Sequence, residues 1–240
     1  MITIQNNYFD LKKIAGSGQC FRWRFLNDNI YEIPAFGKIL TASQSDNVIT
    51  LDCSENDFNT YWHSYFDLGS DYRFYHQEAV ESGLLYLQKA AEYSRGIRIL
   101  RQELWETLVS FIISQNNNIP RICLCLKRII KRFGHFPAQQ ELVEGSLAGL
   151  GLGYREGYLY DAARRFTPDM QDFLSICGVG PKVNSCVRLF ALGLKDEFPR
   201  DVWIKRIELE QFCGRFPEEH FTGFAGVMQQ FLFYYGRSGV

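Results

Sequence analysis

The chain lacks any apolar segment long enough to cross a lipid bilayer, because charged residues interrupt every hydrophobic run well before about 20 positions. A secretory signal is not indicated either, since the first 20 residues include Asp10, Lys12 and Lys13 and no long apolar core. We therefore expect a cytoplasmic protein that has no membrane partner.

Cysteine is present, but in no arrangement that suggests a cross-link or a metal site. The seven cysteines are an odd number and are scattered over 240 residues, which argues against a disulfide framework. The sequence contains no C-x-x-C pair, so neither a zinc ribbon nor an iron–sulfur cluster is indicated. We predict that the protein uses no metal and no cofactor.

An excess of positive charge is also missing. The net charge is −1 and the pI is about 6.4, which argues mildly against a nucleic-acid partner. The charges are unevenly spread, because acidic residues outnumber basic ones in residues 1–94 and basic ones outnumber acidic ones from residue 95 onward. An asymmetry of this size decides nothing by itself.

The sequence does contain a change of pattern along its length. Short β-branched and aromatic runs separated by polar turns occupy residues 19–53 and predict an antiparallel meander. Residues 54–68 predict a helix capped by Ser54 or Asn56, and helical patterns continue from about residue 75. We predict an α+β fold, with a small N-terminal antiparallel β-sheet domain over residues 1–75 and an all-α body over residues 76–240.

Three helices of this body are clear from their periodicity. The first is predicted over residues 99–114, where Leu100, Leu104, Leu108 and Ile112 recur every four residues and form one apolar face. The second covers residues 121–133, with apolar side chains on one face and five basic side chains on the other. The last is predicted over residues 225–236.

The segment CGVGPK, residues 177–182, predicts a tight corner between helices. Gly178 and Gly180 can adopt positive φ, so the backbone N–H groups of Gly178, Val179 and Gly180 could join those of the following helix and bind a phosphate. The alternative is an ordinary turn, because glycine and proline end helices in many proteins. The spacing alone leaves both interpretations open.

Lys182 makes this corner unusual. A cation in the first turn of a helix is electrostatically disfavoured, and burial would further disfavour its charged form. A neutral amine is a nucleophile suited to Schiff-base chemistry, whereas a solvated lysine would bind phosphate as a cation. Asp201 could lie beside the corner, where it would cap the helix beginning near Val202, stabilise positive charge on a sugar, or accept a proton from the lysine.

These segments resemble the helix–hairpin–helix motif and downstream aspartate of a superfamily of DNA base-excision glycosylases. Further segments are similar to the 8-oxoguanine DNA glycosylase family, in the family's order along nearly the whole chain: SGQCFRWRF (17–25), LVSFIISQNNNIPRI (108–122) and LGLGYREGY (150–158). The resemblance implies that the helical part is a helix–hairpin–helix glycosylase body. It also implies that the partner is duplex DNA containing an oxidised purine.

The family resemblance assigns the chemistry to two residues. It implies that Lys182 attacks C1′ of a nucleotide that has left the duplex, displaces 8-oxoguanine and forms a Schiff base whose β-elimination nicks the strand. Asp201 is implied to be the essential carboxylate. Cytosine is the implied partner opposite the lesion.

Four further residues are implied to recognise the damaged base. The carbonyl of Gly18 accepts the N7 proton of 8-oxoguanine, a proton that guanine lacks. Phe233 stacks on one face of the base, and Cys186, one turn after Lys182, covers the other face. Gln229 shares a helix face with Phe233 and bonds the Watson–Crick edge.

Another four residues are implied to handle the opposite strand. Tyr154 wedges into the gap beside the extruded base, and Asn116, Arg121 and Arg155 read the orphaned cytosine through its acceptors and donor. Without the resemblance, the asparagine run 116–118 predicts only a capping turn and Arg121 a surface residue.

Some features differ from the family pattern and leave alternatives. Trp203 stands where the family often has histidine, and no acidic residue follows Phe233 in the last helix. The stretch 166–173 is short relative to the larger eukaryotic members of the family, and this compact form is typical of bacteria. We expect the protein to act as a monomer at the nucleoid. The alternatives are a glycosylase of different or relaxed base preference, and a noncatalytic module that binds duplex DNA. Lys182 argues against an enzyme for alkylated purines.

Overall fold

The N-terminal part of the molecule is a five-stranded antiparallel sheet in the computed structural model, which describes residues 1–27 and 29–239. The spatial order of the strands is β1-β5-β4-β3-β2, so the predicted meander is confirmed for β2 to β5. Asp28, within the predicted meander, lies outside the described residues. The strands are β1 (Ile2–Gln5), β2 (Arg24–Asn27), β3 (Ile30–Ala35), β4 (Lys38–Ser45) and β5 (Val48–Asp52).

Strand β1 was not predicted. It forms the sheet edge by pairing with β5, in a register that places Ile2 opposite Leu51 and Ile4 opposite Ile49. The buried residues of β3, β4 and β5 alternate along each strand and face one side of the sheet, as expected where only one face is covered.

Short helices cover that buried face. Helix α1 (Leu11–Gly16) is capped by Asp10, and the predicted helix after the sheet begins with its cap Ser54, whose hydroxyl accepts the N–H of Asp57 at 3.0 Å. This second segment comprises α2 (Glu55–Asp57), a π-helical turn (Phe58–Trp62) and α3 (His63–Tyr65). Trp62 and Phe66 fill the space between it and the sheet.

The rest of the chain is helical, as predicted. Helix α7 confirms the amphipathic pattern, since Ile122, Leu126 and Ile129 are buried on one face. Within the described residues, no helix combines the length and apolar character needed to cross a membrane. The helices are α4 (Tyr72–Glu81), α5 (Leu85–Ser94), α6 (Leu104–Ser114), α7 (Ile119–Phe133), α8 (Gln139–Glu144), α9 (Arg155–Arg165), α10 (Pro181–Phe190), α11 (Val202–Gln211), a 3₁₀ turn (Glu218–Phe221) and α12 (Ala225–Arg237).

The start of α6 differs from the sequence prediction. Residues 99–103 have no regular secondary structure, and α6 begins at Leu104. Leu100 is fully buried in the core beneath the sheet, not on the face of α6. The spacing of four residues between Leu100 and Leu104 is therefore coincidental, because the two leucines pack in different hydrophobic cores.

The corner at residues 177–182 also differs in part. The segment before it is a series of turns instead of a regular helix. The turns are closed by two hydrogen bonds, from the N–H of Ile176 to the carbonyl of Phe173 and from the N–H of Val179 to the carbonyl of Ile176. Gly178 adopts positive φ, at 79°. Gly180 does not: its φ is −90°, and it caps α10 in an extended conformation.

The two parts of the molecule are joined by a buried arginine. Arg98 is 1% exposed and donates to the carbonyls of Phe66 at 2.8 Å and Asp67 at 2.6 Å. Gln19 completes the joint, because its side chain donates to the Arg98 carbonyl and accepts the Leu100 N–H, both at 2.8 Å. We call this set of contacts the Arg98 joint. The boundary between residues 75 and 76 remains a prediction.

Candidate active site

A cleft of about 1160 Å³ is lined by residues from both parts of the molecule. It brings together Gly18, Lys182, Asp201 and Phe233, which are far apart in the sequence. Its volume is slightly above the range, about 300–1,000 Å³, that is typical of ligand pockets. Asn116 and Gly180 also line it, so six of the predicted site residues share one cavity.

Lys182 lies in the first turn of α10, as predicted, directly after Pro181. Its side chain is half-buried, and its Nζ lies 5.1 Å from the centroid of the Phe111 ring. The amine also contacts the thiol of Cys186, one turn further along the helix. An aromatic ring and a thiol thus hold the amine at the wall of the cleft.

Cys186 is buried behind this lysine, with 3% of its surface exposed. Burial raises the pKa of the Cys186 thiol, and the nearby Lys182 only partly opposes this effect. The thiol is consequently protonated at neutral pH and does not compete with the amine as a nucleophile. Its predicted contact with the base face remains a prediction.

Asp201 caps α11, which is the structural role that its sequence context predicted. One carboxylate oxygen, Oδ1, accepts the N–H of Ile204 at 2.9 Å. Among the described residues, none donates a hydrogen bond to Oδ2. The side chain is half-buried on the wall of the cleft, so this second oxygen can accept a proton there.

Gly18 and Phe233 meet on another wall of the cleft. A Cβ built on Gly18 would lie 3.0 Å from Cε1 of the Phe233 ring, and the φ of Gly18 is +76°. Both the close approach and the left-handed backbone require glycine. The backbone of Gly18 is therefore held beside an aromatic ring large enough to stack on a purine.

Arg237 is a cleft residue that sequence reasoning missed. It lies one turn after Phe233 in α12, with its guanidinium carbon 5.0 Å from the centroid of that ring. The signal available in the sequence was this spacing of four residues within the predicted helix.

Gln229 is placed differently from Phe233, although both lie on α12. It is buried, and its Nε2 donates to the carbonyl of Pro199 at 3.0 Å. Its Oε1 accepts a bond from the neighbouring Gln230. In this arrangement Gln229 supports the loop that carries Asp201, and its proposed contact with a base remains a prediction.

Three of the four predicted opposite-strand residues surround a second cavity, of about 460 Å³. Asn116, Arg121 and Arg155 line it. Asn118 caps α7 by accepting the Arg121 N–H at 3.0 Å, which confirms the capping turn. The Arg121 side chain is exposed and makes one long hydrogen bond, 3.4 Å, to the carbonyl of Gly151.

Tyr154 and Arg155 differ sharply in exposure. Tyr154 is 50% exposed, and its hydroxyl accepts a bond from the Asn116 amide at 3.2 Å. Arg155 is buried, and it donates to the carbonyl of Gln115 at 2.9 Å and to that of Leu152 at 3.2 Å. Tyr154 is thus accessible to a partner, whereas Arg155 braces the local backbone. Their roles toward DNA remain predictions.

The corner before α10 offers two unused backbone donors. Among the described residues, none accepts a hydrogen bond from the N–H of Gly178 or of Gly180. The N–H of Val179 is used internally, since it donates to Ile176 at 3.0 Å. An anion at this corner would therefore meet Gly178 and Gly180 and the first turn of α10.

Comparisons with known proteins show which family this sequence and fold resemble. The family described as 8-oxoguanine DNA glycosylase, N-terminal domain, matches residues 1–108. A relative in Saccharomyces cerevisiae is named N-glycosylase/DNA lyase. It is 29% identical over an alignment 262 residues long, gaps included, and the alignment covers 86% of this chain and 69% of the yeast protein.

Solved structures are similar over almost the whole chain. MBOgg1, solved in complex with a low affinity DNA ligand, is 34% identical with a TM-score of 0.91, and the match covers 99% of this chain and 95% of that one. The 8-oxoguanine glycosylase/lyase of Clostridium acetobutylicum, solved with double-stranded DNA containing cytosine opposite 8-oxoG, is 30% identical with a TM-score of 0.89, over 97% and 93% of the two chains. By its sequence and its fold, the chain belongs to the 8-oxoguanine DNA glycosylase family.

Proposed function

We propose that the protein is a bifunctional DNA glycosylase and AP lyase that removes 8-oxoguanine, preferentially opposite cytosine, from duplex DNA. The observation that carries this proposal is the single cleft that Lys182 and Asp201 share with Gly18 and Phe233. The names of the relatives, glycosylase/lyase and N-glycosylase/DNA lyase, support it. Since its substrate is genomic DNA, the proposed site of action is the cytoplasm at the nucleoid.

Base selection depends on the proton at N7. In 8-oxoguanine N7 carries a proton, which the carbonyl of Gly18 accepts, while the ring stacks on Phe233. Guanine has only a lone pair at N7, so the same carbonyl faces an acceptor and is left unpaired. An unpaired buried carbonyl costs on the order of 1–3 kcal/mol, enough to disfavour the undamaged base.

Excision proceeds by nucleophilic substitution at the sugar. The ammonium group of Lys182 gives a proton to the free oxygen of Asp201, and the resulting amine attacks C1′. The bond between C1′ and N9 breaks, and its electron pair leaves with the base, which takes up the proton held by Asp201 and so restores the carboxylate. Positive charge that develops on the sugar is stabilised by the carboxylate.

Strand cleavage follows from the same covalent bond. The sugar ring opens to an imine between C1′ and Lys182 Nζ, which makes the C2′ proton acidic. Loss of that proton forms the C2′–C3′ double bond and expels the 3′ phosphate. Water then hydrolyses the imine and restores the free lysine.

The duplex is held open by residues around the second cavity. Tyr154, half exposed and hydrogen-bonded to Asn116 of that cavity, fills the gap left by the extruded base. Asn116 and the exposed Arg121 face the unpaired cytosine, whose O2 and N3 accept hydrogen bonds from arginine donors. The donors of Gly178 and Gly180 bind a backbone phosphate.

Borohydride trapping tests this proposal. With duplex DNA that carries 8-oxoguanine opposite cytosine, reduction should convert the imine into a stable protein–DNA product that is visible by gel electrophoresis. Lys182→Gln should bind the duplex but give no product. Asp201→Asn should slow base release by about 10²–10⁴-fold, the usual contribution of a positioned base.

Lys205 supplies a matched control, since it is a second lysine that lines the same cleft. Lys205→Gln should still be trapped, because it removes a cleft lysine other than the nucleophile. Trapping that persists in Lys182→Gln would contradict the assignment. Duplex binding by the unmodified protein without base release would favour the noncatalytic alternative.

A further inference from the structure

Arg237 lies where the damaged base would be read. Its Nη1 is 3.3 Å from the position of a Cβ built on Gly18, and its guanidinium carbon is 5.0 Å from the centroid of the Phe233 ring. All three residues line the cleft that contains Lys182. The guanidinium thus adjoins both the backbone of Gly18, whose carbonyl is proposed to select the base, and the ring proposed to stack on it.

Apart from the Phe233 ring, the guanidinium of Arg237 has no partner among the described residues. Over residues 1–27 and 29–239, no carboxylate or carbonyl accepts a hydrogen bond or forms an ion pair with it, although the side chain is half-buried. A guanidinium carries five N–H donors in a rigid plane. Donors that are partly withdrawn from water and unpaired are available for a ligand.

The edge of 8-oxoguanine that faces Gly18 offers matching acceptors. Its N7–H donor, which the Gly18 carbonyl accepts, lies between two carbonyl oxygens, O6 and O8. A cation beside Gly18 therefore meets one of these oxygens when the base enters. Arginine is the side chain that most often binds the O6 edge of a guanine.

We propose that Arg237 is a base-reading residue that donates to a carbonyl oxygen next to N7–H of 8-oxoguanine. The proposal rests on the function proposed above. Gly18 and Arg237 then form an acceptor and a donor that together complement the oxidised edge. Arginine alone would bind guanine as well, through O6 and N7, so the Gly18 carbonyl excludes guanine and Arg237 strengthens binding of the lesion.

Its position at a helix end gives Arg237 a second effect that must be separated from base reading. A cation in the last turn of α12 interacts favourably with the helix dipole. Arg237→Lys keeps that charge but loses the planar donor fork, whereas Arg237→Met removes both at similar length.

Single-turnover kinetics on two duplexes test the proposal. On 8-oxoguanine opposite cytosine, Arg237→Met should release base about tenfold or more slowly than the unmodified protein, since it loses a hydrogen bond from a charged group. On a duplex that already contains an abasic site, the same variant should cleave the strand within about twofold of the unmodified rate. Arg237→Lys should unfold at an unchanged temperature yet release base severalfold more slowly.

A second lesion can show whether O6 or O8 accepts the hydrogen bond from Arg237. 8-Oxoadenine keeps N7–H and O8 but has an amino group in place of O6. A defect of Arg237→Met that persists on this base supports the proposal with O8 as the acceptor, and a defect that disappears supports it with O6.

Arg95 provides the matched control, because its guanidinium also lies over a ring, 4.7 Å from the centroid of Tyr8, and does not line the cleft. Arg95→Met should match the unmodified protein on both duplexes. Equal losses on both duplexes in Arg237→Met, or no loss on either, would overturn the proposal. Failure of the unmodified protein on both duplexes would instead contradict the proposed glycosylase and lyase function.

Discussion

Gly178 is a residue whose identity is fixed by two independent constraints. Its φ of 79° lies in the left-handed region, which costs other residues about 1–3 kcal/mol. A Cβ at this position would also lie 2.2 Å from Cδ2 of Tyr158, closer than atoms can approach. The corner is therefore shaped by the packing of an aromatic ring against a bare backbone.

Substitution at this corner should be strongly position-dependent. Gly178→Ala should lower the free energy of unfolding by about 2 kcal/mol or more, because it adds backbone strain and a clash. Gly180→Ala is the matched control: its φ is −90° and its added Cβ meets no atom within 4 Å, so the loss should stay within about 1 kcal/mol. Denaturant unfolding monitored by circular dichroism measures both, and equal losses would contradict this account.

The two glycines also show what sequence can predict at single positions. Glycine spacing located the corner, but it could not distinguish a residue that needs positive φ from one that caps a helix. The capping roles of Ser54 and Asp201 were predicted correctly, since a cap depends on neighbours within three residues. Arg237 was missed because its importance depends on Gly18, which is distant in the sequence.

At the scale of elements, α7 holds the loop that precedes Tyr154. Arg128 donates to the carbonyl of Leu150 at 3.2 Å. Arg132, one turn further along, donates to the carbonyls of Ser146 at 2.9 Å and Ala148 at 3.3 Å. Two arginines on the basic face of α7 are therefore hydrogen-bonded to backbone carbonyls, whereas the sequence alone indicated only a charged surface.

Removing these bonds should loosen the loop without unfolding the protein. In Arg132→Ala the amide hydrogens of residues 146–151 should exchange faster, and base release should slow because Tyr154 is less well positioned. The melting temperature should change little, since hydrogen bonds of this kind contribute about 0.5–1.5 kcal/mol each. Hydrogen exchange in the absence of DNA measures the first effect.

Lys131 is the control on the same helix, because its exposed side chain makes no hydrogen bond or ion pair within the described part of the chain. Lys131→Ala should leave the exchange of residues 146–151 unchanged. Equal exchange in the two variants would mean that α7 does not hold the loop.

Helix α7 itself was predicted almost to its ends, whereas β1 was not predicted at all. The apolar stripe of α7 repeats within a single segment of sequence, so its period is visible locally. β1 exists because Ile2 and Ile4 pair with residues almost 50 positions later. Leu100 was misassigned for the same reason, since its partners lie beneath the sheet and not in α6.

At the scale of the whole molecule, an ion pair links the sheet part to α6. Arg22, just before β2, contacts the carboxylate of Glu106, and its guanidinium also lies over the Phe136 ring, 5.1 Å from the centroid. Burial raises the pKa of Glu106 to about 7, although Arg22 opposes this effect.

This shift predicts a dependence of stability on pH. Between pH 4.5, the ordinary pKa of the group, and pH 7, the folded protein retains a proton that the unfolded chain has released. The free energy of unfolding should therefore fall as the pH rises through this window, by about 1 kcal/mol or more. Glu106→Gln should reduce that fall, as measured by denaturant unfolding at pH 5.5 and pH 8.

Glu210 provides the control, since its ion pair with Arg206 on α11 is exposed. Glu210→Gln should keep the pH profile of the unmodified protein. A profile that is unchanged in Glu106→Gln would show that Glu106 does not titrate in this range.

The Arg98 joint has a consequence for fidelity. Gly18 precedes Gln19, a member of the Arg98 joint, whereas Lys182 lies in α10 of the helical body. Under the proposed function, the carbonyl that recognises the lesion and the amine that attacks the sugar therefore belong to different parts of the molecule. Discrimination between lesion and normal nucleotide would then depend on how these two parts are aligned. We expect disruption of the Arg98 joint to weaken that discrimination before it affects attack at the sugar.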